Sequence, residues 1–167
     1  MAESFISYQR HGVAESSALL GTEGGAHVLN VKIPADMDNG SFLSYKGFVA
    51  GDVWEVDEPD AAKPVFLLLT SPLIYSEYTP RMQEESNFYN AKDDIGRAYH
   101  LQRFDRFALS DEAFAQGATP AVGSYLTFSA GSYKAGLTTT KPNSGFVAKI
   151  YDQATNGNWR VIVEEAI

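Results

Sequence analysis

The sequence predicts a mainly β domain, a small barrel or sandwich. Three observations carry this. About eight short stretches either alternate apolar and polar residues or run apolar at strand length. Gly, Pro and Asn-Gly punctuate them at turn spacing. Only one segment, after Ser110, carries helix start and stop signals. The expected architecture is an N-terminal arm over residues 1–25 and a single β-rich domain over residues 26–167, with one short helix and a long inserted loop. No internal repeat and no second domain is visible.

Residues up to about Gly25 show no sustained period, and Gly21, Gly24 and Gly25 close them; only Ala14–Leu20 has room for a helical turn or two. They read as an extended or mobile arm, either a disordered terminus or a segment that orders against a neighbour. His27–Ile33 alternates, with Leu29, Val31 and Ile33 on one face, and Pro34 ends it. Asp36–Gly40 is a turn, since Asn-Gly tolerates positive φ. Ser41–Tyr45 and Asp52–Asp57 read as short strands around Lys46-Gly47 and Ala50-Gly51, followed by a turn at Glu58-Pro59-Asp60. Val65–Thr70 is continuously apolar, the mark of a fully buried strand.

Ser71–Gly96 is a polar excursion, and extended structure resumes over Arg97–Phe107 with a bulge or bend near Arg103–Asp105. Ser110 is placed to cap a short helix, Asp111–Gln116, with Gly117 just past its end. Gly123–Ser129 is a strand, and a Ser/Thr/Lys/Gly-rich connection leads from Gly131 to Gly145. Phe146–Tyr151 and Trp159–Glu164 pair as a terminal hairpin around Asn156-Gly157. Phe146, Ala148 and Ile150 share one face, as do Trp159, Val161 and Val163.

Composition narrows the function. The chain has 167 residues, enough to bury roughly two thirds of its unfolded surface without disulfides. It has no cysteine, which excludes a disulfide framework, a thiolate metal site and a cysteine nucleophile. Thirteen basic residues face 21 acidic ones, for a net charge of −8. Nucleic-acid binding draws on Lys and Arg against phosphate, so no nucleic-acid partner is expected. The longest apolar run, Val65–Leu69, is far too short to span a membrane, and no membrane partner is expected. The N-terminus lacks a basic stretch followed by an apolar one, so synthesis in the cytoplasm is expected.

Catalytic and metal motifs are missing. His11, His27 and His100 are isolated, without H-x-x-x-H or H-x-H spacing. Asp36-x-Asp38-x-Gly40 resembles the start of a calcium loop, but Gly40 stands at its fifth position and Gly47 at its twelfth, where ligands are required. Asp52, Glu55, Asp57, Glu58 and Asp60 read as a solvated strand edge and turn, where charge deters unwanted pairing. There is no G-x-S-x-G elbow, and Gly21–Gly25 lacks the G-K-[ST] of a phosphate loop. The expectation is no enzyme, no catalytic residue, no metal and no cofactor.

The excursion points elsewhere. Tyr75, Tyr78, Arg81, Phe88 and Tyr89 stand there among charged residues, and Tyr and Arg are enriched in protein interfaces. A structureless excursion of this length inside a domain is uncommon and usually functional or disordered. These five residues are the expected partner-binding set. The plainer alternative is that they fold the loop onto its own barrel.

Several small motifs together resemble the head decoration proteins of tailed bacteriophages, also called capsid-stabilising or cement proteins. They are A-D-M-D-N-G-S-F-L at Ala35–Leu43, V-F-L-L-L-T-S-P at Val65–Pro72 and the Tyr-rich acidic loop. D-D-I-G-R-A-Y-H-L at Asp93–Leu101, T-P-A-V-G-S-Y-L at Thr119–Leu126 and F-V-A-K-I-Y with V-I-V-E near the end complete the set. The resemblance spans roughly Asn30 to Glu164. It implies a non-enzymatic structural protein of the virion, on the outer surface of the capsid, that binds the major capsid protein and stabilises the shell. It also implies contacts with further copies of the chain around a symmetry axis, a trimer being one such homo-oligomer. One departure is local: a G-D-I-F-like turn often follows the matching strand in that family, and Arg103–Phe107 stands here without the glycine. The competing expectation is a phage tail or fibre component or a carbohydrate-binding module, with Tyr75, Tyr78, Trp54 and Trp159 stacking on sugars.

Overall fold

In the computed structural model, residues 10–16, 18–19, 28–72 and 84–167 are described. Eleven strands are present among them: β1 (Ala14–Glu15), β2 (Val28–Lys32), β3 (Phe42–Ala50), β4 (Val53–Asp57), β5 (Val65–Leu68), β6 (Ile95–His100), β7 (Arg106–Leu109), β8 (Tyr125–Thr127), β9 (Gly136–Thr138), β10 (Val147–Gln153) and β11 (Trp159–Glu165). The fold is mainly β, as predicted. Five strands close into a barrel in the order β2-β4-β3-β5-β6, and the other six form a sheet in the order β1-β7-β11-β10-β8-β9. All pairings are antiparallel except β2 with β4.

Alternation decides what fills the barrel. Side chains on a strand point to opposite faces in turn. Val31 on β2, Ile33 just after it, Leu43 on β3, Val56 on β4, Phe66 and Leu68 on β5 and Ala98 on β6 belong to one buried cluster. A barrel this narrow has no room for a pore, and its interior is side chains. At Gly96 a Cβ would lie 2.6 Å from Ile33 Cδ1, so even a methyl group there requires the neighbouring side chains to shift.

The opposite faces of β3 and β5 build the larger core. Phe42, Val65 and Leu67 join Phe107, Leu109, Phe146, Ala148, Ile150, Val161 and Val163 in a second cluster, between barrel and sheet. Strand β5 is therefore buried on both faces, which is why its sequence runs apolar without alternation. The terminal hairpin β10–β11 forms with Ala148, Ile150, Val161 and Val163 fully buried, as their spacing predicts.

The bend expected near Arg103–Asp105 is where the chain leaves the barrel for the sheet. Asp105 is buried, and its carboxylate accepts the Gln102 N–H at 2.7 Å. Phe104 takes φ of +74°, a left-handed conformation that glycine adopts most readily. The missing glycine of the resemblance falls at this turn, and the Arg103 guanidinium lies 4.8 Å above the Phe104 ring.

Other expectations are corrected. The strand expected over Ser41–Tyr45 does not end before Lys46-Gly47: β3 runs unbroken for nine residues, with a register shift between Tyr45 and Gly47. The glycine is absorbed as a bulge. The expected helix Asp111–Gln116 is a single 3-10 turn, Asp111–Ala113. Ser110 does not cap it; its hydroxyl accepts the Val13 N–H at 2.9 Å, and Phe114 bridges to Ala135 instead of continuing the helix. Residues Arg10–Ser16, expected as arm, lie against the sheet, where Ala14 pairs with Leu109. Ile95 and Gly96, assigned to the excursion, already belong to β6, and β9 arises inside the expected connection from Gly131 to Gly145.

Two glycines test the packing. Gly40 and Gly51 both have positive φ, of +86° and +58°. A Cβ at Gly40 would meet Ala113 Cβ at 2.9 Å, while one at Gly51 would meet nothing within 4 Å. Gly51→Ala is expected to cost about 1 kcal/mol from backbone strain alone. Gly40→Ala adds overpacking and is expected to cost roughly 2–4 kcal/mol, read from urea unfolding midpoints of the two variants.

Candidate partner-binding surface

The Asp38-Asn39-Gly40 turn joins the barrel to the rest. Asp38 is buried, and its Oδ1 lies 2.6 Å from His11 Nδ1. An ionised carboxylate only accepts, so His11 Nδ1–H donates. Asp38 Oδ2 accepts the Gly12 N–H at 2.9 Å and the Lys134 ammonium at 2.7 Å. Lys134 also donates to the Glu112 carbonyl at 2.7 Å. Next to it, the Asn39 amide is paired both ways with the Thr70 backbone, at 2.8 and 3.0 Å. Asn90 donates to Asn39 Oδ1 at 3.1 Å, and its backbone bridges to Met37.

Burial alone would raise the Asp38 carboxyl. The Lys134 ammonium, the Gly12 N–H and His11 outweigh it, and hold the group below its usual 3.8. His11 Nε2 is buried and meets no hydrogen-bond partner among the described residues, under the stacked ring of Tyr89 at 5.2 Å. This arrangement is a buried tie between segments rather than an accessible base. Asp36, the other acid of the supposed calcium loop, accepts the Lys92 N–H at 2.8 Å. Among the described residues no group of three or more His, Asp or Glu is placed to hold a metal ion.

The expected binding set divides. Tyr75, Tyr78 and Arg81 lie outside the described residues, as does His27. Phe88 is half-buried, and Tyr89 is exposed on one side while stacking on His11. Tyr89 helps fasten residues 84–90 to the N-terminal segment, where the His11 N–H also donates to the Ser86 carbonyl. Trp159 is half-buried, and its indole N–H donates to Asp111 Oδ1 at 2.6 Å. His100 is half-buried on the inward face of β6, edge-on to Phe66 at 5.5 Å.

A surface of which the sequence reading named only Trp54 lies on the β3–β4 hairpin. Tyr45 is 40% exposed, Phe48 56% and Val49 49%. The Phe48 and Trp54 rings are 4.5 Å apart, and Tyr45 lies 5.2 Å from Trp54. Three positions separate Tyr45 from Phe48, so strict alternation would send them to opposite faces. The bulge prevents that: Tyr45 pairs with Val56 and Phe48 with Trp54, two positions along β4. Both aromatics therefore share the face of Val56 and cover one end of the barrel. Trp54 is edge-on to buried Phe66 at 6.2 Å, so the exposed cluster is rooted in the barrel interior.

Beside Tyr45 runs an open groove of about 420 Å³, walled by Asp57, Glu58, Asp60 and Phe128. The Glu58 carboxylate is anchored across it by the Gly131 N–H at 2.8 Å. Among the described residues no helix is long and apolar enough to cross a membrane.

Comparison of the chain with models of known protein families finds no match, and searches of curated proteins and of solved structures find none either.

Asp38→Asn removes the charge that Lys134 and His11 share. The variant is expected to lose on the order of 2 kcal/mol at neutral pH. The folded Asp38 is depressed, so its contribution is present above the unfolded value near 3.8 and lost as pH falls through the lower folded value. Urea midpoints of wild type and Asp38→Asn should therefore stand apart at pH 7 and converge as the pH is taken below 3.8.

Proposed function

We propose that this chain is a structural virion protein that binds the outer surface of a phage capsid through the β3–β4 face and stabilises the shell. The observation that carries the reading is the rooted aromatic cluster of Tyr45, Phe48 and Trp54, with Val49 beside it. Aromatic residues exposed together on a rigid hairpin offer contact area without an ordering cost, which is what protein interfaces select. The motif resemblance supplies the capsid as partner, and the acidic balance suits an outer position away from packaged DNA. The mechanism is added buried area across subunit seams, repeated over the shell. Binding only the assembled or expanded state stabilises that state by linkage. Further copies of the chain around a symmetry axis belong to the same reading, and no turnover is required.

The groove beside Tyr45 favours a second reading, a tail or fibre component or carbohydrate-binding module. An aromatic ring next to carboxylates is the chemistry that holds a sugar by stacking and hydrogen bonding.

The two readings separate in co-sedimentation with cognate phage heads lacking the protein. Saturable binding at a fixed ratio to the major capsid subunit is the expected result. Binding to neither immature nor expanded shells overturns the capsid reading. Retention on an immobilised host-surface glycan, lost in Tyr45→Ala, then puts the carbohydrate reading first.

A further inference from the structure

Two Asn-Gly pairs stand in the chain, Asn39-Gly40 and Asn156-Gly157. The nitrogen of a glycine can attack the side-chain amide of an asparagine before it, because no Cβ crowds the approach. The fold treats the two pairs oppositely. Asn39 is buried, its amide is paired with the Thr70 backbone at 2.8 and 3.0 Å and with Asn90, and the Gly40 N–H donates to the Leu68 carbonyl at 2.9 Å. Asn156 and Gly157 are exposed between β10 and β11, and a Cβ at Gly157 would meet nothing within 4 Å. The Gly157 N–H donates to the Ala154 carbonyl at 2.9 Å, in an exposed turn where such a bond opens locally. Asn156 Oδ1 accepts the Asn158 N–H at 3.1 Å, so a donor already sits on the oxygen that gains negative charge when Cγ is attacked. The amide nitrogens of Asn156 and Asn158 both donate to Glu15 Oε1, at 2.8 and 2.7 Å. Glu15 belongs to β1, at the edge of the sheet.

We infer that Asn156 is a site of spontaneous deamidation, and that its product unfastens β1 from the terminal hairpin. The Gly157 nitrogen bonds to Asn156 Cγ, the Cγ–Nδ2 bond breaks, and ammonia leaves with the proton that the nitrogen gave up. Water then opens the cyclic imide at either carbonyl, leaving aspartate or isoaspartate. One water is consumed and one ammonia released, with no oxidant, reductant or cofactor. The new acid ionises, so a carboxylate faces Glu15 where an N–H had donated, and the two like charges repel. Of the two amide donors on Glu15, only Asn158 is left. Strand β1 has little else to hold it there, since it pairs with β7 at Ala14 and Glu15 alone. Its other end is secured independently, because the Asp38 carboxylate holds His11 and Gly12. The opening is therefore confined to the Glu15 end. Isoaspartate also adds a methylene to the backbone of a turn closed by the Ala154 N–H on the Asn158 carbonyl at 2.8 Å.

The experiment ages the folded protein at physiological temperature and mildly alkaline pH, beside a sample in urea, and follows both asparagines by peptide mass spectrometry. In the folded protein Asn156 should convert at least about tenfold faster than Asn39, while in urea the two should convert at similar rates. No conversion at Asn156, or equal conversion of the two in the folded protein, overturns the site. The consequence is read by amide hydrogen exchange. Asn156→Asp should speed exchange in β1 about tenfold and leave Gly12 as it was. Asn156→Ala, which removes the bond without adding charge, should show a smaller rise. Glu15→Gln added to Asn156→Asp should restore slow exchange, since the Gln amide donates to the new carboxylate. Asn156 is exposed and Glu15 only half-buried, so the variants fold, and urea midpoints check this. Unchanged exchange in Asn156→Asp, an equal rise in Asn156→Ala, or no rescue by Glu15→Gln overturns the unfastening. None of these readouts involves phage heads, so they stand or fall apart from the capsid reading.

Discussion

The carboxylate of Asp38 is the constraint on which the assembly of barrel and sheet depends. It gathers His11 and Gly12 from the N-terminal segment and Lys134 from the connection before β9, and Lys134 carries the tie on to Glu112. A charge removed from water is tolerable only when its lone pairs are used, and here each oxygen has a short partner. Asn39 and Gly40 complete the junction from adjacent positions. Asn39 spans to Thr70 and Asn90, and Gly40 gives Ala113 room to approach the backbone. Three consecutive residues thus hold elements that hydrophobic burial alone would bring together without a fixed orientation.

The exposed cluster at the barrel end is positioned by a bulge and by contact with Phe66, inside a barrel closed by hydrogen bonds all round. Its rings need no ordering when a partner arrives. A surface of this kind loses little entropy on binding, so modest contact area converts efficiently into affinity.

The parts legible in sequence were those written in local pattern. Val65–Leu68 reads apolar because both its faces are covered, and the terminal hairpin reads from Phe146–Ile150, Trp159–Val163 and the Asn-Gly between them. The Asp36–Gly40 turn was legible as a turn, but its role was not: its side-chain partners lie 27 and 96 positions away, at His11 and Lys134. Local chemistry also misled. Gly47 looked like the end of a strand and is a bulge within one; Ser110 looked like a cap and bonds to Val13 instead. Ending the strand at Tyr45 left Phe48 and Val49 between the two expected strands, which hid their place on the aromatic face. The available signal was Tyr45, Phe48, Val49 and Trp54 within ten positions, more large apolar residues than one wall of so narrow a barrel can cover. Strand β9 carries Gly-Leu-Thr without alternation, and only its pairing with β8 defines it.

The barrel occupies one unbroken stretch of the chain, from Val28 to His100, while the sheet pairs β1 with strands beginning at Arg106. Chain growth therefore imposes an order. The barrel ring can close while everything after His100 is still unmade, but the outward side of β5 then stands bare until β7, β10 and β11 arrive. Ala14 must wait for Leu109, and Asp38 for Lys134. Long-range pairings of this kind close slowly, and uncovered apolar strands attract other chains in the meantime. The nascent protein is most exposed to self-capture between the synthesis of β6 and that of β11.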